Sequence, residues 1–167
     1  MAMKTLVVFY SLSNNTKFIA ETVAGQLHAD SFAVKLQKGL PEKGFRKFFL
    51  GGMAATFKMS PKLENAPADL SVYDNIVIGT PVWAGSCSSP IHSFLMHNKI
   101  QNKKIALFAC HASKEADAAK KCFAQLKKEL PGNAFVGERD FCDPLLHNKD
   151  ENAGKAAEWA ANLKFGE

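Results

Sequence analysis

The chain has 167 residues, of which 47% are hydrophobic and 22% charged, a composition typical of a globular protein with one substantial core. No apolar run approaches the roughly 18 residues that span a membrane, and the first residues lack the pattern of a signal peptide, so we expect no membrane partner and a cytoplasmic location. The formal net charge is +5, but no basic stripe is interleaved with aromatic residues, so we expect no nucleic-acid partner.

Strand and helix patterns alternate along the chain. The predicted elements are a strand over 4–10, a helix over 16–28, a strand over 33–36, a helix over 45–58, a strand over 75–79, a helix that begins at Pro90 with Ser89 as its cap, a strand over 104–110, a helix over 113–130 capped by Ser113, a strand over 134–141 and a helix over 151–165. Five strands that alternate with five helices predict an α/β fold, a parallel sheet covered on both faces, in one domain over residues 1–167.

Ligands of such sheets bind at the carboxyl ends of the strands, where the loops 11–16, 80–87 and 110–114 are expected to converge. Neither a Cys-x-x-Cys pair nor any other metal motif is present, and the four cysteines are expected to be reduced thiols with no metal. No catalytic nucleophile or acid–base constellation is evident in the sequence.

The first of these loops joins an apolar strand directly to a helix. Backbone N–H groups at a helix start attract anions, and the side chains of Ser11, Ser13, Asn15 and Thr16 add donors around Leu12. Asn14 tolerates a left-handed backbone, which allows a sharp turn. The loop contains no Lys or Arg and neither of the glycine-rich nucleotide motifs, so it suits a terminal monophosphate; an ordinary capped helix start is the alternative.

The second loop follows the third strand, and its candidate ligand-binding residues are Thr80, Pro81, Val82, Trp83, Ala84 and Gly85. Pro81 stiffens the chain, and Gly85 permits a positive φ. Trp83 is predicted at the rim of the site, where its ring stacks on a planar ligand, rather than in the core.

The third loop offers Cys110, His111 and Ser113. His111 is either a planar contact to the ligand or an exposed loop histidine, and both interpretations stay open. Cys110, the last residue of a buried strand, is expected to be a small apolar filler at the site.

The first two loops resemble those of the flavodoxin family. Ser11, Ser13, Asn15 and Thr16 match its phosphate loop, with Asn14 where Gly is usual, and Trp83 matches the aromatic residue that covers one face of the flavin. The resemblance implies a flavodoxin-like doubly wound three-layer sandwich with a five-stranded sheet in the order 2-1-3-4-5, and FMN as cofactor. It also implies that the backbone groups of residues 80–85 lie near the polar edge of the flavin.

Two departures from the family pattern matter. Ala84 and the following Gly85-Ser86 replace a glycine and its acidic neighbours, which implies less negative charge near the flavin and an easier reduction. The third loop lacks the aromatic residue that covers the other flavin face.

The preferred function is therefore an FMN-binding electron-transfer protein whose partners are redox proteins, a reductase and an acceptor, with acidic faces that match the +5 charge. The alternative is an FMN-dependent NAD(P)H oxidoreductase of the quinone-reductase type, since an open flavin face admits a nicotinamide or a quinone. A phosphoacceptor domain is set aside because it needs acidic residues where Tyr10-Ser11 and Gly79-Thr80 stand. A cofactor-free interaction module stays open.

The segment 39–64, rich in Phe and Lys, is predicted to form a core helix with a loop. The alternative is a lid or docking surface near the flavin, from which Phe45, Phe48 or Phe57 reaches the site.

Overall fold

The structure, a computed structural model, describes residues 3–38, 60–65 and 69–166. Its strands are β1 (Thr5–Phe9), β2 (Asp30–Ala33), β3 (Asn75–Trp83), β4 (Ser86–Cys87), β5 (Lys104–His111) and β6 (Ala134–Cys142). Its α-helices are α1 (Asn15–Leu27), α2 (Ser89–His97), α3 (Lys120–Glu129) and α4 (Lys149–Ala161), and a 3-10 turn covers Leu70–Val72. None of the helices in these ranges is long and apolar enough to cross a membrane.

Five strands form a parallel sheet in the order β2-β1-β3-β5-β6. The short β4 pairs antiparallel with the end of β3 and lies outside this strand order. With β4 left out, this is the predicted order 2-1-3-4-5, and the predicted α/β sandwich is confirmed.

Helices cover both faces of the sheet because its central strands are apolar on both sides. On β1, Val7 faces one buried cluster with α1 and α4, whereas Leu6 and Val8 face a second cluster with α2 and α3. This alternation fixes the sheet between two helical layers and leaves the strand ends as the place for a site.

Several predicted boundaries are wrong. The second strand covers residues 30–33 rather than 33–36, α2 begins at Ser89 after the cap Ser88, and α4 lies at 149–161 rather than 151–165. The third strand runs on to Trp83 rather than ending at residue 79, because β4 extends its pairing.

The helix predicted over 113–130 begins only at Lys120, so Ser113 is not its cap. The Ser113 hydroxyl accepts the N–H of Glu115 at 3.2 Å within a turn instead. The helix predicted over 45–58, with Phe45, Phe48 and Phe57, lies outside the described residues.

Candidate functional site

A cavity of about 300 Å³ lies at the carboxyl edge of the sheet. Its lining comes from the loop after β1, the end of β3, the end of β5 and the turn after β6. The volume is within the range of about 300–1,000 Å³ that small-molecule sites occupy. Nine of the predicted site residues line it: Leu12, Ser13, Asn15, Thr16, Pro81, Val82, Trp83, Cys110 and His111.

The first loop delivers the start of α1 to this cavity. Asn14 adopts the predicted left-handed backbone, with φ 66°, and no side chain caps the helix. The first N–H groups of a helix have no intrahelical partner, and the helix dipole makes this end positive. Ser11 itself does not line the cavity, but its hydroxyl oxygen, just before Leu12 and Ser13, is buried without a hydrogen-bond partner among the described residues.

Two predicted phosphate donors of this loop are engaged by the protein. The Asn15 amide group donates to Ser13 Oγ at 3.4 Å and accepts the N–H of Leu145 at 3.1 Å, which ties α1 to the turn after β6. Thr16 is 1% exposed, and its hydroxyl contacts the thiol of Cys110. These two side chains brace the cavity wall.

Trp83 lies in the core rather than at an exposed rim, so that part of the prediction is wrong. Its side chain is only 2% exposed, and it meets the ring of Tyr10 edge to face, with 5.9 Å between ring centroids. The pairing with β4 holds Trp83 inside the strand. Trp83 still lines the cavity, so stacking on a ligand stays a prediction.

Thr80, Ala84 and Gly85 do not line the cavity. Thr80 is fully buried, and its hydroxyl accepts the N–H of Ser88 at 2.9 Å, which anchors the start of α2. Ala84 and Gly85 have φ values of 47° and 80° and form the two-residue turn of a β3–β4 hairpin. Backbone contacts from these residues to a ligand stay a prediction.

The third loop places Cys110 and His111 at the cavity, whereas Ser113 does not line it. Burial raises the pKa of the Cys110 thiol to about 12, against a weaker opposing effect of its hydrogen bond with Thr16. The thiol is therefore protonated and acts as the expected small filler. The His111 side chain is only 5% exposed and fully bonded, so His111 is not an exposed loop histidine.

Sequence reasoning missed three residues of the lining: Ala112, Asp143 and Leu146. Asp143 has a positive φ of 37°, and its N–H donates to the carbonyl of His111 at 2.8 Å, so the turn after β6 is bonded to the end of β5. Leu146 is 75% exposed at the mouth of the cavity. The signal was the turn-forming Asp143-Pro144 pair at the carboxyl end of a fifth parallel strand.

The charge of the lining is low. Among its described residues, Asp143 is the one carboxylate and none is a lysine or arginine. An anionic group at this site would therefore be held by the positive end of α1 and by hydroxyl and amide donors rather than by a fixed cation.

The doubly wound sheet with a cavity at its carboxyl edge defines a flavodoxin-like protein, and solved structures agree. A protein of Bacteroides uniformis assigned as a flavoprotein has a TM-score of 0.76 and 20% identity, over 95% of this chain and 98% of that chain. A flavoprotein of Lactobacillus acidophilus in complex with FMN has a TM-score of 0.69 and 25% identity, over 89% and 98%. The flavodoxin, WrbA-like protein of Agrobacterium tumefaciens has a TM-score of 0.63 and 18% identity, over 97% and 95%.

The resemblance to the flavodoxin family noted in the sequence is thereby confirmed. No family model matches the chain, and no curated protein is similar enough in sequence to count as a relative.

Proposed function

We propose that this chain binds FMN at the carboxyl edge of its sheet and transfers electrons between redox proteins. The observation that carries the proposal is the loop after β1, where an uncapped helix start follows the left-handed Asn14 and the buried Ser11 hydroxyl has no partner in the part of the chain that the structure describes. A buried polar group without a partner costs about 1–3 kcal/mol, which a ligand phosphate would offset by accepting that hydrogen bond. The complex of the Lactobacillus acidophilus flavoprotein with FMN supports the same ligand.

Different residues of the site would contact the phosphate and the ring of the cofactor. Ser11, Ser13 and the backbone N–H groups at the start of α1 would hold the phosphate, and Trp83 and Val82 would form one wall of the ring site. His111, Ala112 and Leu146 would form the opposite part of the lining. FMN supplies the electron-transfer chemistry when bound, and the protein binds and orients it.

The phosphate assignment is tested by comparing FMN with riboflavin, which lacks the phosphate. Ser11→Ala should weaken FMN by about tenfold or more, since a hydrogen bond to a charged group contributes about 1.5–3 kcal/mol. Riboflavin affinity should stay within about twofold of the parent, because riboflavin offers Ser11 no phosphate to bond. Ser31→Ala, the same change on the exposed edge strand β2, is the control. Equal losses for the two flavins would exclude this loop as the phosphate site.

An NAD(P)H oxidoreductase is the second candidate, because the cavity mouth is open. Trp83 is the one Phe, Tyr or Trp side chain among the described lining residues, and Leu12 and Leu146 at the mouth are 44% and 75% exposed. A flavin that Trp83 covers on one face would leave room for a nicotinamide or a quinone. Steady-state NAD(P)H oxidation by the FMN-loaded protein with a quinone separates the two functions. A carrier shows almost none until a partner reductase is added, whereas an oxidoreductase turns over alone.

The net charge of +5 supports acidic docking faces on the redox partners of a carrier. Reduction of an acidic acceptor protein should then slow as salt is added, because salt screens charge attraction.

A further inference from the structure

His111 joins two strand ends and a loop at the cavity. Its Nδ1 lies 2.9 Å from the carbonyl oxygen of Ser113, and its Nε2 lies 2.8 Å from Oδ2 of Asp140 on β6. The His111 side chain is 5% exposed, whereas that of Asp140 is 42% exposed. The ring is therefore held in a fixed position between the loop after β5 and the neighbouring strand.

Both partners of the ring are hydrogen-bond acceptors. A backbone carbonyl and a carboxylate offer only oxygen lone pairs, so each ring nitrogen must donate an N–H to form its bond. A neutral imidazole has one N–H, and its second nitrogen would turn a lone pair toward an oxygen. Only the doubly protonated ring makes both bonds.

These bonds reach the cavity lining directly. Ala112 lies inside the loop that the Ser113 contact closes, and the carbonyl of His111 accepts the N–H of Asp143. The backbone carbonyl of Asp143 in turn accepts the N–H of Leu146 at 2.9 Å. The position of three lining residues thus depends on the His111 ring and backbone.

The charged and titratable groups around this ring come from several elements. β6 and the turn after it supply the carboxylates of Asp140 and Asp143 and the thiol of Cys142, the register partner of His111. Cys110 precedes the ring on β5, and Lys114 and Glu115 follow in the turn. From α1 and β3, the described residues that line the cavity are uncharged.

We propose that His111 is a positioning residue that holds the flavin-site loop closed while its imidazole carries both protons. When pH rises and one proton leaves, one of the two bonds breaks, the loop loosens and flavin binds more weakly. The effect on flavin rests on the proposed function, whereas the protonation of the ring does not.

Asp140→Asn provides a sharp test because it reverses the hydrogen-bond roles. An asparagine amide can donate its N–H to His111 Nε2, so a neutral ring with hydrogen on Nδ1 still makes both bonds. The loop of this variant should then stay closed at high pH. Glu129→Gln is the matched control. The Glu129 carboxylate lies 2.9 Å from Nδ1 of His92, and neither residue lines the cavity.

The first measurement is ¹⁵N NMR of the histidine rings in the flavin-free protein across pH. The parent His111 should show two protonated nitrogens at low pH, and Asp140→Asn should show one neutral form with hydrogen on Nδ1 at high pH. A parent His111 that stays neutral over the whole range would overturn the proposal. This result is independent of whether the protein binds flavin.

The second measurement is riboflavin affinity, which avoids the titration of the FMN phosphate. From about pH 5.5 to about pH 8.5 the parent and Glu129→Gln should lose about tenfold in affinity, as expected for one charge-assisted hydrogen bond. Asp140→Asn should change by less than about twofold. A parent with no pH dependence, or an Asp140→Asn variant with the parent's dependence, would overturn the proposal. If no flavin binds at any pH, the proposed function fails, and the ring signals still decide the protonation of His111.

Discussion

Gly79→Ala should destabilise the protein because the ring of Phe108 occupies the space that a side chain would need. Gly79 lies on β3 beside its register partner Phe108 on β5. A Cβ atom at Gly79 would lie 2.1 Å from Cζ and 2.5 Å from Cε1 of that ring. Phe108 is fully buried and packs edge to face on Trp159, with 6.3 Å between ring centroids, so the ring has little room to move.

The expected loss is about 3 kcal/mol in the free energy of unfolding, the upper end of the range for overpacked cores. The whole ring must move, because the contact involves three of its atoms rather than the end of a flexible chain. For a chain of this size 1 kcal/mol corresponds to about 2–4 °C in Tm, so the melting point should fall by about 6–12 °C.

Urea unfolding of the flavin-free protein measures this loss against two matched controls. Gly25→Ala and Gly154→Ala make the same change in α1 and α4, where a Cβ would meet nothing within 4 Å. Each should gain about 0.5–1 kcal/mol from the higher helix propensity of alanine. Adding Phe108→Leu to Gly79→Ala should recover about 1 kcal/mol or more relative to the sum of the single changes. A Gly79→Ala variant as stable as the parent would refute this packing.

Three further predictions concern stability. Trp83→Ala should lower the free energy of unfolding in urea by about 3–5 kcal/mol, as for a buried aromatic residue. A loss below about 1 kcal/mol would instead indicate that Trp83 lies at an exposed rim. Ala84→Gly should gain about 0.5–1 kcal/mol, since glycine adopts φ 47° without strain; unchanged melting would contradict this. Burial raises the pKa of the Cys110 and Cys122 thiols from 9.0 to about 12. As pH rises, the thiols of the unfolded chain therefore lose their protons before those of the folded protein do. The free energy of unfolding should be constant below about pH 9 and fall above it by up to about 1.4 kcal/mol per pH unit per thiol. Cys122→Ala should reduce that fall in urea midpoints measured from pH 8 to pH 11, and an unchanged slope would rule this thiol out as a cause.

The sequence was sufficient for the sheet order and for the convergence of three loops. Buried strands that alternate with helices leave few topologies once crossovers are right-handed, and the family resemblance singled out one. The loops then meet at the carboxyl edge whatever the precise strand bounds are. This is why nine predicted residues line the cavity although several boundaries were wrong.

The errors arise where hydrogen bonds within a loop or a hairpin override the pattern of residue types. Residues 113–119 have the composition of a helix, but the carbonyl of Ser113 is bonded to the ring of His111 and its hydroxyl to Glu115. Trp83 stands between Pro81 and Gly85, a loop pattern, yet the two-residue hairpin at Ala84 extends its strand. Both contacts lie within a short stretch of chain, between residues two apart for His111 and Ser113 and across a two-residue turn for β4, whereas the bond from His111 to Asp140 joins two strands that only the folded sheet brings together.

Two helices, α1 and α4, each follow an asparagine with a left-handed backbone, and their first turns differ in charge. α4 follows Asn148 and carries Asp150 and Glu151 in its first turn, where carboxylates stabilise the positive end of the helix. α1 also follows a left-handed asparagine, Asn14, and neither helix has a capping side chain, but α1 has no acidic residue in its first turn. Within the described residues the positive end of α1 therefore has no acidic residue in its first turn and no side-chain cap, which is the basis for proposing an anion there.

Asn15→Asp places that anion on the chain and should act in opposite directions on stability and on binding. Aspartate keeps the oxygen that accepts the N–H of Leu145, so the turn after β6 is preserved. The new carboxylate should stabilise the flavin-free protein by about 0.3–1 kcal/mol through the dipole of α1. It should also weaken FMN by about tenfold, because it repels the phosphate, and leave riboflavin within about twofold. Both effects should shrink in high salt. A variant that gains stability and binds FMN as the parent does would place the phosphate away from α1.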